Sequence, residues 1–165
     1  MDDKRHLISV IVQNKAGVLA RVAGLFSSRG FNIDSLAVGE TEDPELSRVT
    51  MVTRGDEAVI EQIRKQLNRL IDVLRVHEFR SGEDYVERDL LLLRVNAPPG
   101  KRGEIMQVAD IFRGKIVDVG VRHLMIELSG PESKINAMID LMRPYGIKEM
   151  VRSGRIALAR GNKSV

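Results

Sequence analysis

The sequence predicts an α+β protein built as two tandem βαββαβ units. Three observations carry this. Hydrophobic patterning runs strand, helix, strand, strand, helix, strand on each side of a polar, glycine-containing stretch, Ser81-Gly82-Glu83-Asp84. The strand-to-strand step within each half breaks the alternation that would signal one doubly wound parallel sheet. Finally, 165 residues divide into two parts of about 80, each the size of a small domain.

Leu7 to Val12 is short and rich in β-branched residues, which predicts a buried strand. After the turn-like Gln13-Asn14-Lys15-Ala16-Gly17, residues Val18, Leu19, Val22, Leu25 and Phe26 form the stripe of an amphipathic helix that Gly30 terminates. Phe31 to Val38 and Leu46 to Thr53 follow as strands across an acidic loop, a wide hairpin. Asp56 is placed to cap a second helix whose apolar face is Val59, Ile60, Ile63, Leu67 and Leu70. Asp72 to Phe79 closes the unit. The pattern then restarts with a strand at Asp89 to Asn96 and a turn at Pro98-Pro99-Gly100. A helix through Ile105, Val108, Ala109 and Phe112 comes next, stopped by Gly114. Strands at Lys115 to Val121 and His123 to Leu128 precede a helix opened by Pro131 and carrying Ile135, Met138, Ile139 and Met142. Gly146 to Val151 is the closing strand. Each half therefore follows the split βαβ, ferredoxin-like plan. The expected boundaries are a first domain at 1–80, a linker at 81–85 and a second domain at 86–165.

Composition narrows the function classes. The chain carries 26 Lys and Arg against 23 Asp and Glu, is 43% hydrophobic, and has no Cys and no Trp. No disulfide framework, thiolate nucleophile or Cys-rich zinc site is available. No apolar run approaches the roughly 20 residues that cross a bilayer. The N-terminus, Met1-Asp2-Asp3-Lys4-Arg5, leads into the first strand without a signal-peptide core. The expected location is cytoplasmic. His6, His77 and His123 lie far apart, with no Ser or Cys constellation around them, and no phosphate-cradling glycine motif is present. No catalytic residue and no metal ligand is assigned.

Several features stay open between two readings. Glu40, Glu42, Asp43 and Glu45 are a hard-cation site or a solvated hairpin tip. Met106, Met125, Met138, Met142 and Met150 are an adaptable surface or core. Arg152, Arg155, Arg160 and Lys163, around Ile156-Ala157-Leu158, read as a nucleic-acid tail or as a charged edge strand or subunit contact. The tail's lack of aromatic residues disfavours nucleic acid.

Asn14-Lys15-Ala16-Gly17-Val18-Leu19 stands out chemically. A helix N-terminus offers unpaired N–H groups and a partial positive charge suited to a carboxylate. Glycine allows close approach to the backbone, and the Asn14 amide oxygen can accept from an ammonium group. A free amino acid needs donors at one end and acceptors at the other. Asn32 offers a second amide at the start of the next strand. The plainer reading is that Asn and Gly are turn residues.

These same residues carry a resemblance. The run from Asn14 to Leu19, then Arg21-Val22 and Gly24 to Leu36, resembles the ACT domain of acetolactate synthase (acetohydroxyacid synthase) small subunits. The likeness continues through Asp43-Pro44, Leu46-Ser47-Arg48, Gln62-Ile63, Lys65-Gln66-Leu67 and Leu70 to Val73. In the second half it runs through Val86 to Leu90, Ile111 to Val119, Arg152-Ser153-Gly154 and Arg160-Gly161. The resemblance implies a regulatory subunit in branched-chain amino acid biosynthesis. Such a subunit activates a large catalytic subunit and confers feedback inhibition by valine or a related amino acid. Thiamine diphosphate, FAD and magnesium are expected on that large subunit, and no cofactor on this chain. ACT domains of the family pair as homodimers with the effector at their interface. The matching positions are Asn14, Ala16, Gly17, Val18 and Leu19 from one subunit and Asn32 and Ile33 from the facing one. Gln62, Gln66 and Arg69 are the expected contact with the catalytic subunit. A transcription regulator would need a DNA-reading helix beyond those spent in the two units, and a stand-alone enzyme would need catalytic groups.

Overall fold

The computed structural model describes residues 4–162 and 164–165. Met1-Asp2-Asp3 of the expected N-terminal lead, and Lys163 of the basic tail, lie outside the described residues. The chain divides into two units, Met1–Val86 with Arg155–Val165, and Glu87–Gly154.

The first unit holds β1 (Arg5–Gln13), α1 (Val18–Ser28), β2 (Ile33–Glu40), β3 (Leu46–Arg54), α2 (Glu57–Asn68) and β4 (Val73–Phe79). Its antiparallel sheet has the strand order β2-β3-β1-β4. Ile8, Val10 and Val12 of β1 and Val49 and Met51 of β3 face the helices. They form one core with Val18, Val22, Phe26, Ile60, Ile63 and Leu67. Asp56 caps α2 as expected, its carboxylate accepting the Val59 N–H at 2.9 Å.

α1 ends at Gly30, which takes φ +69°. The Gly30 N–H reaches the Ser27 carbonyl at 3.2 Å and the Phe31 N–H the Phe26 carbonyl at 3.0 Å, the paired bonds of a left-handed helix end. Phe31 therefore belongs to the helix terminus. Its ring stacks edge-on against Phe26 at 6.3 Å, and β2 starts two residues later than the sequence predicts.

The second unit contains most of β5 (Tyr85–Asn96), then α3 (Arg102–Ile111), β6 (Lys115–Val119), β7 (His123–Gly130), α4 (Glu132–Met142) and β8 (Ile147–Arg152). The strand order is β6-β7-β5-β8. Leu91, Leu93, Val95, Leu124, Ile126 and Leu128 pack on Ile105, Ala109, Ile135 and Ile139. Met138 and Met142 join this core, whereas Met106 and Met150 are exposed, so the methionines divide between the two readings.

Gly114 is not the residue that turns α3. Arg113 carries the positive φ, +59°. Its N–H reaches Asp110 at 2.9 Å, while the Gly114 N–H reaches Ala109 at 2.8 Å. Gly114 serves a different need. A Cβ there would press on the Ala109 and Glu127 carbonyls at 3.3 Å.

The expected second domain, 86–165, differs from the observed division at both ends. The expected linker is already strand from Tyr85, and residues 155–165 belong to the first unit. The tail forms an edge strand, β9 (Ile156–Ala159). Ala157, Ala159 and Val165 close over Leu7, Val52 and Phe79, on the sheet face away from α1 and α2. The Arg160 N–H bonds the Asp84 carbonyl at 3.0 Å. Arg48 spans the Ser9 hydroxyl and the Val165 carbonyl at 2.9 and 2.7 Å. Both faces of β1 are thus covered, which explains its nearly continuous apolar run.

Asp89 is buried in the second unit. It accepts Arg152 Nε and Nη2 at 2.9 and 2.7 Å and the Ser153 hydroxyl at 3.2 Å. The partner that would be left behind, Arg152, is exposed, so the loss is that of charge-assisted hydrogen bonds, about 1.5–3 kcal/mol. Asp89→Ala will lower the stability of this unit by that order, read by hydrogen exchange of the β5 and β7 amides. Arg113→Gly removes the left-handed penalty and will raise stability by up to about 1 kcal/mol in urea unfolding.

Candidate effector site

The β1–α1 corner is built around Gly17, the N-cap of α1, at φ +85°. No side chain caps the helix, so its first turn keeps its donors. The Val18 N–H makes a long bond to the Lys15 carbonyl at 3.4 Å, and the Arg21 N–H bonds the Gly17 carbonyl at 3.0 Å. The N–H groups of Ala16, Gly17, Leu19 and Ala20 make no backbone bond among the described residues. A carboxylate placed over this corner meets several free donors and the positive end of α1.

Asn14 is anchored beside them. Its Nδ2 donates to Glu40 Oε1 at 3.2 Å and to the Pro44 carbonyl at 3.0 Å. That leaves Oδ1 as an acceptor for an ammonium group. The Asn14 N–H bonds the Glu45 carbonyl at 2.7 Å. The acidic hairpin is therefore partly structural, with Asp43 accepting the Glu45 N–H at 3.0 Å. No group of three or more metal-ligating side chains occurs among the described residues.

Not every residue expected at the site presents its side chain there. Val18 is buried in the first core and offers only its backbone. Leu19 is 41% exposed at the mouth of the corner. Asn32 and Ile33 lie elsewhere. β2 runs antiparallel to β3 with Ile33 opposite Thr53 and Glu40 opposite Ser47. Asn14 touches Glu40 at one end of β2, and Asn32 stands at the other, about 26 Å away at roughly 3.3 Å per residue. One chain does not bring the two asparagines together.

Asn32 donates to Asp34 at 2.6 Å, and Asp34 also pairs with Arg54 at 2.6 Å and Arg5 at 3.2 Å. The Arg54 hydrogen bond, with the charges of Arg54 and Arg5 and the Asn32 amide, holds the Asp34 carboxyl below its ordinary range against the opposing effect of burial. β2 is an edge strand. Leu36 and Val38 oppose Met51 and Val49, on the helix side, yet are 38% and 48% exposed.

Sequence reasoning missed the pair that braces the corner, Arg21 and Asp72, joined at 2.9 and 2.6 Å. The available signal was the position of Arg21, one helical turn after Gly17. The histidines are structural. His6 is held by Glu78 at 2.9 Å and the Gly55 carbonyl at 3.0 Å, and His77 by Glu83 at 2.9 Å. Gln62 and Arg69 are exposed and Gln66 half-buried along α2.

The second unit has a different chemistry at its equivalent corner. Pro98 and Pro99 carry no N–H. The Lys101 and Arg102 N–H groups are spent on the Pro98 carbonyl at 2.9 and 3.1 Å. Arg102 Nη2 then fills the space over the carbonyls of Ala97, Gly120 and Val121 at 3.2, 2.7 and 2.8 Å.

Two measurements test this geometry. Gly17→Ala forces a left-handed alanine whose Cβ lies 3.3 Å from Arg21 Nη1; a thermal melt will show a loss of about 1–2 kcal/mol. Asp34 has a folded pKa below its unfolded one. Its contribution is therefore fully present above about pH 4 and lost as the pH falls through the lower folded value. An NMR titration will show Asp34 ionising below the usual Asp range.

The comparisons agree with this reading of the fold. Residues 8–75 match the family model described as the AHAS small subunit-like ACT domain. Residues 88–161 match that of the small subunit of acetolactate synthase. A protein of Archaeoglobus fulgidus described as a probable acetolactate synthase small subunit is 57% identical, covering 96% of this chain and 99% of its own. The acetolactate synthase small subunit of Aquifex aeolicus is 48% identical over 95% of this chain and 82% of its own. The crystal structure of the Thermotoga maritima acetolactate synthase small subunit superposes with a TM-score of 0.87 at 42% identity, covering 97% of this chain and 99% of that one. The chain belongs to the acetolactate synthase small-subunit family.

Proposed function

We propose that the chain is the regulatory partner of a large, thiamine-diphosphate-dependent acetolactate synthase subunit in the cytoplasm, and that it binds valine or a related branched-chain amino acid between two copies of its first unit. The partner would carry thiamine diphosphate, FAD and magnesium, and this chain no cofactor. The observation that carries the reading is the separation of Asn14 from Asn32 along an edge strand. Pairing β2 antiparallel with its copy about the Leu36–Ala37 peptide sets Ile33 of the copy opposite Glu40, and so brings Asn32 of the copy to Asn14. The same pairing covers the exposed Leu36 and Val38. Two identical sites follow from the two-fold symmetry.

In this arrangement the N–H groups of Gly17 and Leu19 receive the effector carboxylate. Asn14 Oδ1 and the amide of the second Asn32 receive its ammonium group, and Leu19 and Ile33 bound its aliphatic end. Asn32 keeps its Nδ2 bond to Asp34 and offers Oδ1 to the ligand. Selection among valine, leucine and isoleucine rests on about 1–3 kcal/mol per methylene. Binding ties two subunits together and favours the arrangement in which the large subunit is less active; the coupling equals the difference in effector affinity between the arrangements. α2, around Gln62, Gln66 and Arg69, is the proposed contact with the large subunit.

Calorimetry on the isolated protein will detect valine at micromolar to millimolar strength, and Gly17→Asp or Asn14→Ala will remove the signal without altering the far-UV spectrum. Leu36→Glu with Val38→Glu will shift the sedimentation coefficient to that of a monomer and abolish valine binding with it. A monomeric variant that still binds valine would refute the shared site. Reconstitution with a large subunit, assayed with and without valine, will separate activation from inhibition.

A further inference from the structure

We infer that Arg21 and Asp72 form a clamp that holds the β1–α1 corner in the shape that receives the effector, making Arg21 a positioning residue of that site. The inference rests on the effector-site reading above and adds to it a residue pair outside the binding loop. Asp72 grips both ends of the loop. Its backbone carbonyl accepts the N–H of Gln13, the last residue of β1, at 2.9 Å. Its carboxylate accepts Nε and Nη2 of Arg21, one turn into α1, at 2.9 and 2.6 Å. Residues 14–17 are bracketed between these attachments, and their free N–H groups are set by them.

Asp72 is itself 9% exposed, and its turn is fixed by the Val73 N–H bond to the Leu70 carbonyl at 3.1 Å. It is therefore a rigid anchor, while the loop it grips is exposed and carries few internal bonds. Charge-assisted bonds of this length are about twice as strong as neutral ones. Arg21 Nη1 points back over Gly17, where an added Cβ would lie 3.3 Å from it, and no acceptor of the chain meets it among the described residues. The guanidinium thus packs against the glycine that the corner requires and leaves a cationic edge beside the proposed carboxylate position. A loose loop would lose part of its binding energy to ordering itself each time the effector arrives.

Two variants test the clamp. Asp72→Asn keeps the backbone carbonyl that holds Gln13 and weakens only the bridge, and Arg21→Gln removes the guanidinium. Hydrogen exchange on the ligand-free protein reads the loop directly. The clamp predicts about tenfold faster exchange at the hydrogen-bonded amides of the corner, Lys15, Val18 and Arg21, in both variants, with the β1 and β3 amides unchanged. Equal loop exchange in variant and wild type overturns it, whether or not valine binds. Valine titration then reads function. The clamp predicts about tenfold weaker binding in each single variant, about 1.4 kcal/mol, and no further loss in the double variant. Loss in Arg21→Gln with full affinity in Asp72→Asn would overturn the positioning role in favour of direct contact with the ligand. Wild-type silence towards valine would sink the effector reading, and leave the clamp to be judged by exchange alone.

Discussion

Two helices cover only one face of a four-stranded sheet, and the rest of this structure follows from that constraint. A unit of about 80 residues buries a modest share of its surface, and the split βαβ plan puts both helices on the same side. In the first unit the opposite face is closed by the chain's own tail, with Ala157, Ala159 and Val165 lying over Leu7, Val52 and Phe79. What stays open is the β2 edge, with Leu36 and Val38 beside it. A closed face beside a free edge suits the edge-to-edge association proposed above. That is the geometry in which the two halves of the proposed effector site meet.

The two units share an architecture and differ where ligand chemistry would occur. In the first, glycine at the helix start leaves donors unspent and Asn14 turns an acceptor towards them. In the second, two prolines remove donors and Arg102 closes over the neighbouring carbonyls. A corner built on a left-handed glycine with an anchored amide and one built on two prolines and an arginine sit on the same backbone plan. The proposed binding role therefore rests on the loop sequence and not on the fold.

Much of this was legible in the sequence because it is local. The Asp56 cap, the Gly30 terminus and the helical stripes depend on residues a few positions apart, and they appear where spacing puts them. The features that were not legible depend on distant partners. Gly114 read as the helix terminator because glycine is the cheapest left-handed residue, yet tertiary crowding at Ala109 and Glu127 claims it and moves the strained conformation to Arg113. Val18 reads as a pocket residue from its place after Gly17, but the core takes its side chain. The tail's return to the first unit, and the Arg21–Asp72 bridge across 51 positions, leave no periodic trace. Family resemblance supplied the site positions; the register of β2 sets Asn14 and Asn32 at opposite ends of one strand.

The returning tail has a consequence for how the chain is made. The second unit is continuous, Glu87–Gly154, whereas the first is interrupted by it. During synthesis the first unit's helices can settle on one side of the sheet early, but Leu7, Val52 and Phe79 stay uncovered on the other until Ala157, Ala159 and Val165 emerge. A unit translated before residues 87–154 is thus sealed only after them. In that interval an apolar sheet face and a free strand edge are open together on nascent chain, a combination that invites wrong partners. The short β9 acts as the closing piece of a domain translated long before it.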